Sequence, residues 1–180
     1  MKNIQLNYYP SVTEVLSTYI DKRWYSPASA EFGTQIHYSC KDILNGDLSY
    51  ENETNIYAPS IKSFIEWIKI TDPIPFTLEE KIINHKLPLS GRPDFIGTIT
   101  GRDGYGIIDW KTSVSTQKWW PLQLSAYKYL ADKYYEITIE WIATLRIRKK
   151  GGKALFNDYT PIYKQSLKKF LRAYSLHMGF

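Results

Sequence analysis

Gly106-Ile107-Ile108-Asp109-Trp110-Lys111-Thr112-Ser113 is the stretch on which the fold turns. The run from Tyr105 to Lys111 is predicted to form a strand. Its apolar residues occupy both faces, the mark of a central strand covered on each side. Residues two apart on a strand share a face. Asp109 and Lys111 therefore project together, and Trp110 turns away. A carboxylate at the end of so apolar a run is costly to bury without a partner.

Just upstream, Gly101-Arg102-Asp103-Gly104 is a turn sequence, as a hairpin requires. Arg92 to Thr100, with Phe95, Ile96 and Ile99, is the strand entering that turn, and Asp94 lies near its start. Phe76 to Lys86 is predicted as the strand before it. After the central strand comes a helix from Trp119 to Tyr134, with a stripe of Leu122, Ala126, Tyr129 and Leu130. A fourth strand follows over Ile137–Ile147 and a fifth over Ala154–Tyr159. An amphipathic helix over Thr160–His177 closes the chain. Toward the N-terminus the 3.6-residue period predicts helices from Ser11 or Thr13 to Ile20, over Glu31–Leu44 and over Ser60–Ile70. The Pro-containing segment Thr71-Asp72-Pro73-Ile74-Pro75 divides this helical part, residues 1–72, from a catalytic core and closing helix, residues 73–180. The expected fold is one α/β domain, a mixed central β-sheet flanked by helices.

The hairpin brings Asp94 beside Asp109, with Lys111 close by. Two adjoining carboxylates repel, and one must take a proton unless a cation neutralises them. Mg²⁺ or Mn²⁺ suits such hard oxygen ligands. A metal held there polarises a phosphate and lowers the pKa of a bound water. Lys111 is placed to offset charge growing on the phosphorus oxygens. The acidic-x-Lys triplet alone says little, because the chain holds two: Glu79-Glu80-Lys81 and Asp109-Trp110-Lys111. Only the second lies on the central strand, one hairpin after Pro93-Asp94.

The 180 residues suit one domain with a sizeable core. The net charge of +5 and the 16% aromatic content lean toward a polyanionic partner. A single cysteine, Cys40, excludes an intrachain disulfide, a Cys-based zinc site and a Cys-ligated iron–sulfur cluster. It reads as a packing thiol on a helix. Met1 to Tyr8 lacks the apolar run of a signal peptide, and no stretch reaches membrane-spanning length. A soluble, cytoplasmic protein with no membrane partner is expected, from a bacterial or phage-infected cell rather than an organelle matrix.

Four pieces in order resemble the RecB-like exonuclease branch of the PD-(D/E)XK nuclease superfamily, which includes phage exonucleases and the mitochondrial genome maintenance exonuclease. They are Gly33-Thr34-Gln35-Ile36-His37, Gly91-Arg92-Pro93-Asp94, Asp109-Trp110-Lys111-Thr112-Ser113 and Gln123-Leu124-Ser125-Ala126-Tyr127. Tyr9-Pro10-Ser11-Val12-Thr13 is similar to the start of such enzymes. The resemblance covers roughly residues 9–130 and is to members without an iron–sulfur cluster. It implies a restriction-endonuclease-like core and metal-dependent DNA hydrolysis, most simply exonucleolytic, leaving 5′-phosphates. It implies that His37, Asp94, Asp109 and the Trp110 carbonyl hold Mg²⁺ or Mn²⁺, that Lys111 is the catalytic lysine, and that Gln123 and Tyr127 organise the site. DNA, as single strands or duplex ends, is the implied substrate, with room for a helicase, recombination or replication partner. A structure-specific or restriction-type endonuclease, or a binding module of the same fold that no longer cuts, are the alternatives.

An acidic residue on the strand before Asp94 joins the metal in similar proteins. Neighbours on a strand face opposite sides, so only one of Glu79 and Glu80 can point inward, and Glu80 is taken. Trp119 and Trp120 open the helix beside the site and are candidates to stack on bases. Arg146, Arg148, Lys149 and Lys150 form a basic strand end and turn suited to phosphates. Ser11, Arg92, Thr112 and Ser113 flank the motifs and are expected at the nucleic-acid surface.

Overall fold

The computed structural model describes residues 8–20, 26–47, 49–50 and 54–180. The opening residues 1–7, read above as lacking an apolar leader, fall outside that range. The chain begins with a short helix α1 (Val12–Val15), closed by a reciprocal capping box between Ser11 and Glu14. Two longer helices follow, α2 (Pro27–Leu44) and α3 (Ala58–Thr71). α2 starts four residues before the predicted Glu31. Ser26 caps it and Pro27 sits in its first turn, where a missing N–H costs nothing. α3 ends at Asp72 in a left-handed conformation, φ 42°, and the strands begin at Ile74.

The strands are β1 (Ile74–Leu78), β2 (Ile82–Asn84), β3 (Leu89–Gly91), β4 (Phe95–Thr98), β5 (Tyr105–Lys111), β6 (Ile139–Arg146) and β7 (Leu155–Asp158). Helix α4 (Trp120–Tyr134) connects β5 to β6, and α5 (Tyr163–Met178) closes the chain. Five strands form the main sheet in the order β1-β4-β5-β6-β7. Only β5 and β6 are parallel; the other neighbours run antiparallel. This is the expected α/β architecture, a five-stranded mixed central sheet flanked by helices.

Two predicted strands are broken in a way that matters for the site. Phe76–Lys86 is interrupted at Glu79, which takes a left-handed φ of 50°. Arg92–Thr100 starts only at Phe95, because Arg92-Pro93 leaves the ladder and proline has no N–H to donate. The detached piece β2 pairs with β3, a strand that was not expected, as a separate two-stranded sheet.

The alternation along β5 sorts the core into two layers. Ile107, with Ile96 and Ile142, packs against α1, α4 and α5. Ile108 and Trp110, with Phe95, Ala143 and Leu145, pack against Phe32 and Ile36 of α2 and Phe64 of α3. Burial of both faces explains why β5 shows no polar alternation until Asp109. Gly106 faces Trp141 of β6 in register, and a Cβ there would overlap the indole. Trp110 is fully buried, its ring edge-on to Phe64 at 5.6 Å and to His37 at 5.8 Å. Trp110 thus pins β5 to the two helices that approach the site from behind. Among the described residues no helix is long and apolar enough to cross a membrane.

Candidate active site

β5 and β6 are parallel, so their carboxyl ends lie together, and α4 begins at that same end. This is the position at which α/β sheets form their ligand crevices. Asp109 and Lys111 sit on the α4 side of β5 and are ion-paired through Asp109 Oδ2 and Lys111 Nζ. Asp109 is only 3% exposed. Lys111 Nζ also donates to Gln123 Oε1 at 2.9 Å, and Gln123 Nε2 donates to the Tyr127 hydroxyl at 3.0 Å. Gln123 and Tyr127, one turn apart on α4, therefore reach back to the lysine as a unit. Tyr127 is further bonded to Thr13 of α1. It packs over Gly91, where an added Cβ would come within 2.9 Å of the ring.

Asp94 enters from the loop between β3 and β4. Its Oδ2 accepts the Trp110 backbone N–H at 2.7 Å, and its Oδ1 lies 3.3 Å from His37 Nδ1. Asp94 is thereby held one peptide away from Asp109. Its backbone carbonyl accepts the Glu79 N–H at 3.1 Å, which ties down the left-handed turn. That turn aims Glu79 inward. Ligand atoms of His37, Glu79 and Asp94 all lie within 4.8 Å of one another. Glu79 Oε2 is also 3.4 Å from Lys41 Nζ, one helical turn beyond His37.

The choice of Glu80 is therefore corrected to Glu79. Glu80 is exposed and accepts the Thr77 hydroxyl at 2.8 Å, away from the cluster. The irregular pairing of β1 with β4 between Pro75 and Thr77 and the left-handed Glu79 together reverse which neighbour faces the site. Bulges near active sites commonly re-aim a side chain in this way.

The electrostatics record how tightly the charges are packed. Burial pushes the Asp109 carboxyl up to about 6. Asp94 adds to that rise, while Lys111 and His37 pull against it. His37 moves the other way from what its burial alone would dictate. The neighbouring Asp94 charge and hydrogen bond, with help from Asp109, override burial and raise it to about 9. The charges of Asp94 and Asp109 thus favour a proton on His37, against the opposing pull of Lys111. One imidazole nitrogen with two or three carboxylates is a donor set that fits a hard divalent cation such as Mg²⁺ or Mn²⁺. A cation can replace the His37 proton and relieve the same repulsion.

Two cavities flank the Lys111–Gln123–Tyr127 chain. The larger, about 790 Å³, is lined by His37, Lys111, Thr112, Ser113, Trp119, Trp120 and Lys149, with Ser29, Phe32 and Gln117 from the surrounding elements. The smaller, about 350 Å³, brings together Ser11, Thr13, Lys81, Arg92 and Tyr127. The structure thus gathers Ser11, Arg92, Thr112, Ser113 and Lys149 around the site.

The other residues expected at the nucleic-acid surface differ in exposure. Trp119 and Trp120 are 8% and 1% exposed and pack in the core, and both also line the larger cavity. Arg146 Nη1 donates to the Val114 carbonyl at 3.0 Å and braces the loop after β5. Arg148 and Lys150 are exposed and line neither cavity. The Arg148 carbonyl instead accepts the Ser60 hydroxyl at 3.0 Å. Cys40 is buried, as read.

The reading missed Lys41 and Thr13, and of the acidic pair it took Glu80 instead of Glu79. Lys41 had a detectable signal, since i, i+4 spacing puts it on the His37 face of α2. The choice of Glu79 over Glu80 had none, because the left-handed turn that orients it depends on the Asp94 carbonyl.

Fold and site define an α/β domain with a buried acidic–lysine cluster at the carboxyl end of its parallel strand pair. No family model matches this chain, and no curated protein does. Among solved structures, it is similar to an alkaline exonuclease (LHK-Exo) from Laribacter hongkongensis, with a TM-score of 0.39 and 11% identity over 94% of this chain and 89% of that one.

Proposed function

We propose that this chain is a divalent-metal-dependent nuclease that hydrolyses phosphodiester bonds of DNA, working from strand ends. One observation carries the reading. The buried Asp109–Lys111 pair and the His37–Glu79–Asp94 cluster are joined through the Trp110 N–H, which donates to Asp94, and reach a cavity of about 790 Å³ through Lys111 and His37.

His37, Glu79, Asp94, Asp109 and the Trp110 carbonyl would hold the cation. When bound, it supplies Lewis-acid polarisation of the phosphate and a more acidic water. The chain's own residues do the remainder. Asp94, held by the Trp110 N–H, and Asp109, held by its place on β5 and its pairing with Lys111, fix the orientation of the reacting groups. Lys111 presents its ammonium where negative charge grows on the nonbridging oxygens as water adds to phosphorus. Gln123 keeps that ammonium directed, and Tyr127 and Thr13 keep Gln123 directed. The bond between phosphorus and the 3′-oxygen breaks, leaving a 5′-phosphate and a 3′-hydroxyl. Lys149, Arg92, Ser11, Thr112 and Ser113 offer phosphate contacts along the two cavities.

A digestion series tests this. End-labelled single-stranded, linear duplex and closed circular DNA are incubated with Mg²⁺, Mn²⁺ or chelator. Shortening of the linear substrates in metal, an intact circle and no reaction in chelator are expected. Cutting of the circle means an endonuclease. Retention of labelled DNA without any cutting means a binding module.

A further inference from the structure

We propose that Trp119 is a positioning residue for Lys111, extending the Gln123–Tyr127 ridge of α4 by one turn toward its start. The inference rests on the nuclease reading above. Residues 119, 123 and 127 recur at i, i+4 and i+8, so they share one helical face. Trp119 flanks the first residue of α4, and its carbonyl accepts the N–H groups of Leu122 and Gln123 at 3.1 and 3.0 Å. Lys111 Nζ lies 4.9 Å from the centroid of the Trp119 ring and 5.8 Å from that of Trp120. Trp120 stands edge-on to Trp119, 6.5 Å away at 82°, and so fixes the tilt of the Trp119 face.

The physical need is plain. An ammonium on a four-carbon stem is compact, mobile and strongly hydrated. Asp109 and Gln123 each take a share of it, but Asp109 is also drawn on by the cation site. Whatever engages the Asp109 carboxylate loosens its hold on Lys111. Gln123 then keeps a directional bond, and the indole face supplies a non-directional attraction that does not depend on the carboxylate. Because Trp119 also lines the larger cavity, it holds the ammonium at the cavity wall rather than letting it fold back into the core.

Two readouts test the proposal on the full chain. In protein labelled with ¹³C at the lysine ε-carbons, the Lys111 ε-methylene protons are expected upfield of the other lysines through the Trp119 ring current. That displacement shrinks in Trp119→Phe and falls further in Trp119→Leu, where only the more distant Trp120 ring remains. In cleavage kinetics, Trp119→Leu lowers kcat about tenfold, the size of a partly desolvated cation–π contact, with KM unchanged. Trp119→Phe, which keeps a ring face, recovers most of the rate. Trp141→Phe, on the opposite face of the sheet, cuts at the parental rate. Should Trp119→Leu fail to fold, Trp119→Met keeps bulk without a ring face and is expected to behave as the leucine variant does. An ordinary lysine shift for Lys111 in the parent overturns the proposal. So does parental kcat in the ringless variants, or a raised KM with kcat untouched, which would make Trp119 a substrate platform. A parent that shows the shift yet cuts no DNA refutes the nuclease reading while supporting the contact.

Discussion

Glu79-Glu80-Lys81 and Asp109-Trp110-Lys111 are the same triplet in two settings. The second lies on β5, covered on both faces, where pleating obliges Asp109 and Lys111 to meet and burial leaves each with the other as partner. The first lies at the end of the edge strand β1, where a left-handed residue undoes the pleat and sends Glu79 and Glu80 to different neighbours. Lys81 ends at the smaller cavity and Glu80 at Thr77, while Glu79 alone reaches the cluster. A short motif acquires chemical meaning from the strand that carries it. Position in the sheet, not spacing, decides which acid and which lysine converge.

The comparison can be broken most sharply at the lysines. Lys111→Ala is expected to slow cleavage by about 100- to 1,000-fold, the scale of losing a preorganised charge at a developing anion. Lys81→Ala is expected to alter it by less than about threefold, as a largely solvated cation does. Single-turnover rates on one labelled duplex settle the contrast. Equal losses at both positions would put the two triplets on the same footing.

The glutamates sharpen it next. Glu79→Gln is expected to weaken Mn²⁺ binding by roughly 10- to 100-fold, and Glu80→Gln to leave it unchanged, as read by calorimetric titration. The reverse order would restore the strand without its left-handed turn. A smaller effect separates the metal-free states. His37 is raised from 6.5 to about 9 by its carboxylate neighbours. Its protonation therefore stabilises the metal-free fold fully below pH 6.5, and that contribution is lost as pH rises through about 9. In chelator, the melting temperature of His37→Gln is expected to lie furthest below the parent near pH 6, with the gap closing above pH 9. A gap that widens with pH would contradict the His37–Asp94 pairing. Smallest of all, Lys41→Gln removes a partly exposed pair with Glu79. It is expected to cost less than about 1 kcal/mol in a denaturant melt.

Much of this was legible in the residues. The bounds of β5 and its two buried faces follow from an apolar run with no alternation, and α4 falls within a residue of its predicted start because the stripe of Leu122, Ala126 and Leu130 is unambiguous. Asp109 with Lys111, and Gln123 with Tyr127, are paired by periodicities of two and four that any regular element obeys, and Asp94 arrives from the loop before β4. What could not be read depends on contacts distant in sequence. Glu79 is turned inward by a bond to Asp94, fifteen positions on. β2 and β3 leave the main sheet because Pro93 breaks one ladder and Glu79 the other. Arg146 looked like a phosphate grip, since nothing local announces that the Val114 carbonyl will claim it.

The rate at which Asp109→Ala shortens a 5′-labelled linear duplex in Mn²⁺, set beside that of the parent, tests the whole arrangement most directly. If Asp109 joins the cation to Lys111, the parent degrades the strand and the variant leaves it full length over the same hours. A variant that keeps pace with the parent would mean that whatever cuts DNA here is not the acid–lysine pair at the end of β5.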